Sequence, residues 1–251
     1  MSDLVGLRLP AGISACLFDL DGVLTETAVL HAQAWKQAFD DLLTRRAARS
    51  GVAFVPFDAV ADYDAYVDGL PRLDGTRAFL DARGIELPEG APDDAPGAET
   101  VHGVARHKNE LVLALMRERG VTVYPGSLQF LEEVRRRSLL TAVVSSSANT
   151  AAVLHAAGLE GRFGTCVDGN VAAREHLAGK PAPDTYLAAA RRLGVAPGDA
   201  AVFEDALAGV EAGRQGGFGL VVGVDRVGQA AALAAHGADV VVADLAELVE
   251  P

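Results

Sequence analysis

Residues 15–19, ACLFD, form a short apolar run that ends on an acid and reads as a buried strand. A loop, DGVLTET, follows it. Apolar positions then recur at Leu30, Ala34, Trp35, Ala38, Leu42 and Leu43, a spacing that predicts a helix over about 28–46. Residues 47–100 mix Pro, Gly and acidic clusters such as PEGAPDDAPG with short helical candidates, and they show no strand alternation. A second helix is predicted over about 99–119. From Val121 onward apolar runs alternate with helical patterns: LLTAVVSS then 148–157, FGTCV then 183–193, AAVFED then 206–215, GLVVGV then 228–236, and ADVVV then a short tail helix.

Strands alternating with helices of about ten residues indicate a parallel sheet covered by helices. The strand at 15–19 belongs with that sheet. The predicted fold is therefore α/β, a Rossmann-like, doubly wound parallel sheet with a helical insertion. Residues 1–25 and 122–251 would form the sheet unit, and 26–121 the insertion.

Composition narrows the function classes. The chain has 251 residues and a net charge of −12. An acidic surface repels nucleic acid and anionic lipid, so neither is expected as a partner. No run approaches the roughly 18 apolar residues of a membrane span. The N-terminus MSDLVGLRLPAGIS lacks a basic head and a long apolar stretch, so no secretory signal is read there. Cys16 and Cys166 sit in apolar runs and read as buried core thiols of a reducing compartment. The expected location is the cytoplasm. The cations are lopsided, with 19 arginines against three lysines: Lys36, Lys108 and Lys180. A lysine kept in such a chain invites a reason, because an ammonium acts as a compact point charge.

In open parallel sheets, ligands bind beyond the carboxyl ends of the strands. Here the first strand ends in Asp19, followed by Leu20, Asp21 and Gly22. The second ends in Ser145, Ser146 and Ser147, Lys180 follows the third, and the fourth ends in Glu204 and Asp205. Each has an ordinary explanation alone: Asp-Gly makes turns, and Ser or Asp caps helices. Four strand ends that together supply one phosphoryl-transfer kit are harder to explain so. Asp19, Glu204 and Asp205 offer hard oxygen ligands suited to Mg²⁺. Asp19 is placed to attack phosphorus, and Asp21, two residues on, to act as general acid–base. Ser145, nearby backbone N–H groups and Lys180 can carry the charge on the transferring oxygens.

The segments DLDGVLT, VVSSS, GKPAPD and FEDALAGVEAG resemble the four ordered motifs of the haloacid dehalogenase superfamily. TETAVLHAQAW, YPG and SSSAN are similar to its β-phosphoglucomutase group and their sugar-phosphatase relatives. The resemblance implies Asp19 as nucleophile and Asp21 as acid–base. It implies Mg²⁺ held by Asp19, the Asp21 carbonyl, Glu204 and Asp205, and a phosphate held by Ser145, Ser146, Asn149 and Lys180. It implies that 1–25 and 122–251 are the catalytic core and that the helical insertion, 26–121, is a cap domain. On the cap side it implies Thr27, His31, Trp35, Gly69, Arg72 and Lys108 as substrate contacts, with Arg72 gripping a distal phosphate and Arg77 as its rival. The substrate would be a sugar phosphate, with glucose 1,6-bisphosphate as a possible activator, and the enzyme a monomer. The reaction implied is mutase chemistry on β-glucose 1-phosphate, with sugar-phosphate hydrolysis as the alternative. A receiver-type signalling domain would be roughly half as long, and its lysine would follow the last acid; Lys180 precedes Glu204 and Asp205.

Overall fold

The computed structural model describes residues 7–51 and 53–250. The first six residues, part of the stretch read for a secretory signal, lie outside the described residues. The chain divides into two compact units, one of residues up to Glu26 with those from Val121 onward, the other of Thr27–Gly120.

Among the described residues the first unit holds six strands: β1 (Ala15–Phe18), β2 (Leu140–Val144), β3 (Thr165–Val167), β4 (Ala200–Glu204), β5 (Leu220–Val224) and β6 (Val240–Val242). They form a parallel sheet in the order β3-β2-β1-β4-β5-β6. The doubly wound α/β architecture read from the sequence is thus present. Strands buried on both faces should read as unbroken apolar runs, and every residue of β1, β4 and β5 is buried.

Period-two alternation divides these residues between two layers. Leu17, Ala142 and Val202 lie in register and pack with Tyr186, Ala189 and Val210. Those partners come from the helices at Asp184–Leu193 and Leu207–Gln215. On the other face Phe18 stacks on its register partner Phe203, with ring centroids 4.8 Å apart. Phe130 closes on both, from a helix at Pro125–Arg136. The chain leaves and re-enters this unit at neighbouring points, where the Glu26 N–H donates to the Thr122 carbonyl at 2.9 Å.

The second unit is helical. The described helices, with those already introduced numbered in chain order, are α1 (Thr27–Ser50), α2 (Ala61–Tyr66), α3 (Arg72–Ala82), α4 (Val101–Arg119), α5 (Pro125–Arg136), α6 (Thr150–Ala156), α7 (Gly169–Glu175), α8 (Asp184–Leu193), α9 (Leu207–Gln215) and α10 (Ala230–His236). Helix α1 runs four residues beyond its predicted end, and its apolar stripe feeds two clusters. Leu30 and Ala34 meet Val112 of α4. Trp35, Phe39 and Leu42 meet Phe57, Phe79 and Val104. Ring centroids of Phe39 and Phe79 lie 4.0 Å apart. Aromatic side chains bury roughly 150–250 Å² each, so Trp35, Phe39, Phe57 and Phe79 supply much of this core's apolar surface, alongside Leu42, Val67, Leu80 and Val104. Lys36 serves this packing: its ammonium bonds the Phe57 carbonyl at 2.9 Å and Asp40 at 2.8 Å. The tail element expected after β6 is a single 3-10 turn, Leu245–Leu248. Cys16 is fully buried, but Cys166, on edge strand β3, is only half-buried. Burial still pushes its thiol up to about 11, away from the reactive thiolate form.

Candidate active site

The β1–β4 ladder continues one step past Phe18, because the Asp19 N–H donates to the Phe203 carbonyl at 3.0 Å. Asp19 therefore lies beside Glu204, the last residue of β4. Carboxylate oxygens of Asp19, Glu204 and Asp205 lie within 4.8 Å of one another, and all three residues are buried. Lys180 is buried too. Its ammonium reaches Asp19 Oδ1 at 2.5 Å, bonds Glu204 Oε1, and lies 3.4 Å from the Val144 carbonyl at the end of β2. Four of the residues singled out in the sequence thus share one small volume at the carboxyl ends of neighbouring strands.

The electrostatics call for a cation. Burial pushes the Asp19 carboxyl well above the usual carboxylate range; Glu204 and Asp21 push it further, while Lys180 opposes them. Burial would lower the Lys180 ammonium, but Asp19 and Glu204 outweigh burial and raise it, so the lysine stays charged. One ammonium cannot balance three clustered carboxylates and Asp21. A divalent ion fits the donor set, which is oxygen only and without thiol or imidazole. Asp19, Glu204 and Asp205 form an acidic cluster able to hold a metal.

Two glycines permit this crowding. A Cβ on Gly22 would lie 1.7 Å from Asp205 Oδ2, and one on Gly209 1.8 Å from Glu204 Oε1. Gly22 also has φ +88°, in the left-handed region open mainly to glycine. Tyr186 supplies a further contact that sequence reasoning missed. Its buried hydroxyl donates to Glu204 Oε1 at 2.9 Å. Burial first, then the charges of Glu204 and Asp19, hold this phenol far above its usual range, so it remains a donor. The glycines had a signal, since each follows an acid of the motifs at short range. Tyr186 had none, because a tyrosine on an apolar helix face reads as core.

The remaining core residues fall on adjoining loops. Asp21 is half-buried in a turn where the Gly22 N–H donates to the Thr25 carbonyl at 2.7 Å. Ser145 is buried just past β2, and its hydroxyl accepts from the Ser147 N–H at 3.1 Å. Ser146 is half-buried. The Asn149 N–H donates to Ser147 Oγ at 3.1 Å, and Asn149 stands at the N-terminal boundary of α6.

The helical unit gathers its own polar group. Lys108, buried on α4, bonds His31 Nδ1 at 2.9 Å and lies 4.8 Å over the Trp35 ring. His31 and Trp35 share one face of α1, as their four-residue spacing requires. Thr27, at the start of α1, is buried. Gly69 has φ +70° in the turn before α3. Arg72 opens α3 and bonds Asn109, while its buried Nε has no hydrogen-bond partner among the described residues. Its rival Arg77 is engaged with Asp74 and Glu89.

A model of the haloacid dehalogenase-like hydrolase family matches residues 13–217. The chain belongs to that family. A β-phosphoglucomutase of Mycobacterium tuberculosis is 57% identical over 245 residues, which is 96% of this chain and 94% of that protein. A β-phosphoglucomutase of Bacillus subtilis is 31% identical over 236 residues, covering 94% of this chain and 92% of that one. A crystal structure of β-phosphoglucomutase from Clostridium difficile superposes with a TM-score of 0.73 at 26% identity, covering 94% of this chain and 93% of that one. The matched residues include Asp19, Ser145, Lys180 and the Glu204-Asp205 pair. No described helix is long and apolar enough to cross a membrane.

Proposed function

We propose that the chain is a Mg²⁺-dependent phosphotransferase that converts β-glucose 1-phosphate to glucose 6-phosphate through a phosphorylated Asp19. The observation that carries this reading is the convergence of Asp19, Lys180, Glu204 and Asp205 in a chain so similar to a mycobacterial β-phosphoglucomutase.

In the first half-reaction an Asp19 carboxylate oxygen attacks the phosphorus of glucose 1,6-bisphosphate. The bond from phosphorus to the sugar oxygen breaks, and that oxygen takes a proton from Asp21. In the second, the C6 hydroxyl of β-glucose 1-phosphate gives its proton to Asp21 and attacks the phosphorus, releasing Asp19. The bisphosphate so formed returns its C1 phosphate to Asp19 and leaves as glucose 6-phosphate. Lys180 holds the charge of the transferring oxygens and keeps Asp19 oriented; Ser145, Ser146 and Asn149 donate to the same oxygens. Asp19, the Asp21 carbonyl, Glu204 and Asp205 would hold Mg²⁺, which when bound supplies the missing counter-charge.

The half-buried Arg72, with an unused Nε, is the proposed partner of the sugar's second phosphate. Burial lowers its guanidinium somewhat, without discharging it. Arg72→Ala is expected to cost roughly 10- to 100-fold in kcat/KM on the sugar phosphate, the worth of one charged hydrogen bond. Turnover of a small aryl phosphate, which has no second phosphate, should stay near wild type. Equal losses on both substrates would remove Arg72 from that role.

The function itself is tested by supplying β-glucose 1-phosphate with a trace of glucose 1,6-bisphosphate and Mg²⁺, and following glucose 6-phosphate and free phosphate together. The proposal expects glucose 6-phosphate in large excess. Free phosphate as the main product would make the chain a phosphatase and overturn it.

A further inference from the structure

The loop after β5, Asp225 to Gln229, bears no residue of the four motifs, yet it touches both of the loops that carry the acids. Arg226 Nε donates to the Gly22 carbonyl at 2.9 Å. Gln229 Nε2 donates to the Asp205 carbonyl at 3.0 Å. The loop is itself stiff, because the Asp225 carboxylate accepts from the N–H groups of Gly228 at 2.7 Å and Gln229 at 2.8 Å. The Arg226 guanidinium is fixed as well. It stacks 3.6 Å above the Tyr124 ring, and Nη1 donates to the Ala243 carbonyl at 2.9 Å and to Asp244 at 3.0 Å.

These contacts act on peptide planes that bear on the metal ligands. A peptide unit is rigid, so holding one end fixes the other. The Asp205–Ala206 unit is held at both ends: its carbonyl accepts from Gln229, and its N–H donates to Glu204 Oε2 at 3.0 Å. That unit links the backbone of Asp205 directly to the carboxylate of Glu204. On the other side, the Gly22 N–H is pinned to the Thr25 carbonyl and the Gly22 carbonyl to Arg226. The N–H of Gly22 shares its plane with the Asp21 carbonyl, so the Thr25 bond sets where that carbonyl points, and the Arg226 bond holds the adjoining Gly22–Val23 plane of the same turn.

We infer that Arg226 and Gln229 are positioning residues for the metal site, a clamp from the β5 loop that sets the spacing of the Asp21 carbonyl on one side and of Glu204 and Asp205 on the other. The inference rests on the proposed metal role of those acids. Neither clamp residue need touch the ion or the substrate; each acts through a backbone carbonyl. Outer contacts of this kind commonly govern metal affinity by about 10- to 100-fold.

The test is Mn²⁺ binding, followed by its paramagnetic resonance signal, alongside thermal melting in EDTA. Gln229→Leu removes the donor at nearly constant volume. It is expected to weaken Mn²⁺ binding about tenfold while melting in EDTA within about 4 °C of wild type. Arg226→Lys keeps the charge near Asp244 but loses the planar fork that spans Gly22 and Ala243. It should weaken Mn²⁺ binding in the same direction, which leaves a second reading should one variant not fold. A merely structural role would lower the melting temperature and leave the Mn²⁺ affinity of the folded variants unchanged, and that result overturns the clamp. A wild-type chain that binds no Mn²⁺ overturns the metal reading and the clamp with it.

Discussion

Asp19→Asn is expected to abolish phosphoryl transfer, with a loss of more than about a thousand-fold in turnover. An amide oxygen is a poor nucleophile and cannot carry the phosphoryl group as an acyl phosphate. The loss should be the same for a sugar phosphate and for an activated aryl phosphate, because both must pass through this one oxygen. The fold should survive. Asn has nearly the shape of Asp, Lys180 keeps its bond to Glu204, and burial, with Glu204 and Asp21, disfavours the charged Asp19 carboxyl against the pull of Lys180. Steady-state rates on both substrates, with far-UV circular dichroism as the check on folding, measure this. An Asp19→Asn protein that retained a tenth of its activity would assign the nucleophile elsewhere.

Asp21→Ala is expected to cost about 10²- to 10⁴-fold in kcat on a sugar phosphate, the usual worth of a placed acid–base. The effect should depend on the leaving group. A sugar alkoxide departs only if protonated, whereas a nitrophenolate departs unaided. Transfer from p-nitrophenyl phosphate to Asp19 should therefore lose far less than transfer from a sugar phosphate. The loss falls on kcat, which separates it from Arg72→Ala, where binding of the second phosphate is removed. A like fall on both substrates would make Asp21 a structural residue of its turn instead of the proton carrier.

The fold was legible because its signals are local and repeated. Each strand of the sheet is an apolar run bounded by turn residues, and β1, β4 and β5 are buried throughout, which leaves no alternation to confuse with an exposed strand. The acids at the strand ends were legible for a related reason: an acid closing an apolar run stands out, and parallel register brings such ends together. Asp19 and Glu204 meet because β1 and β4 pair in step from Ala15 with Ala200 to Phe18 with Phe203. What stayed hidden acts through the backbone or from the core. Tyr186 reads as packing until its hydroxyl is seen on Glu204. Arg226 and Gln229 bind carbonyls, which every residue has, so no pairing of side chains in the sequence announces them. In the helical unit, spacing put His31 and Trp35 on one face, but only the packing of α4 on α1 brings Lys108 to both. By sequence Arg72 was the candidate for the distal phosphate and Arg77 its rival. They separate because Arg77 is engaged with Asp74 and Glu89, while Arg72 keeps an unused Nε.

The central claim is that Asp19 carries the phosphoryl group and hands it to a sugar. Glucose 1,6-bisphosphate labelled with ³²P, mixed with the protein and Mg²⁺ and quenched in acid, tests it directly. The account predicts a label on the peptide that contains Asp19, stable in acid and released by hydroxylamine, as an acyl phosphate is. It also predicts that a chase with β-glucose 1-phosphate moves that label into sugar phosphate rather than into free phosphate. Label on another residue, or no label in a protein that still turns over substrate, would contradict the account.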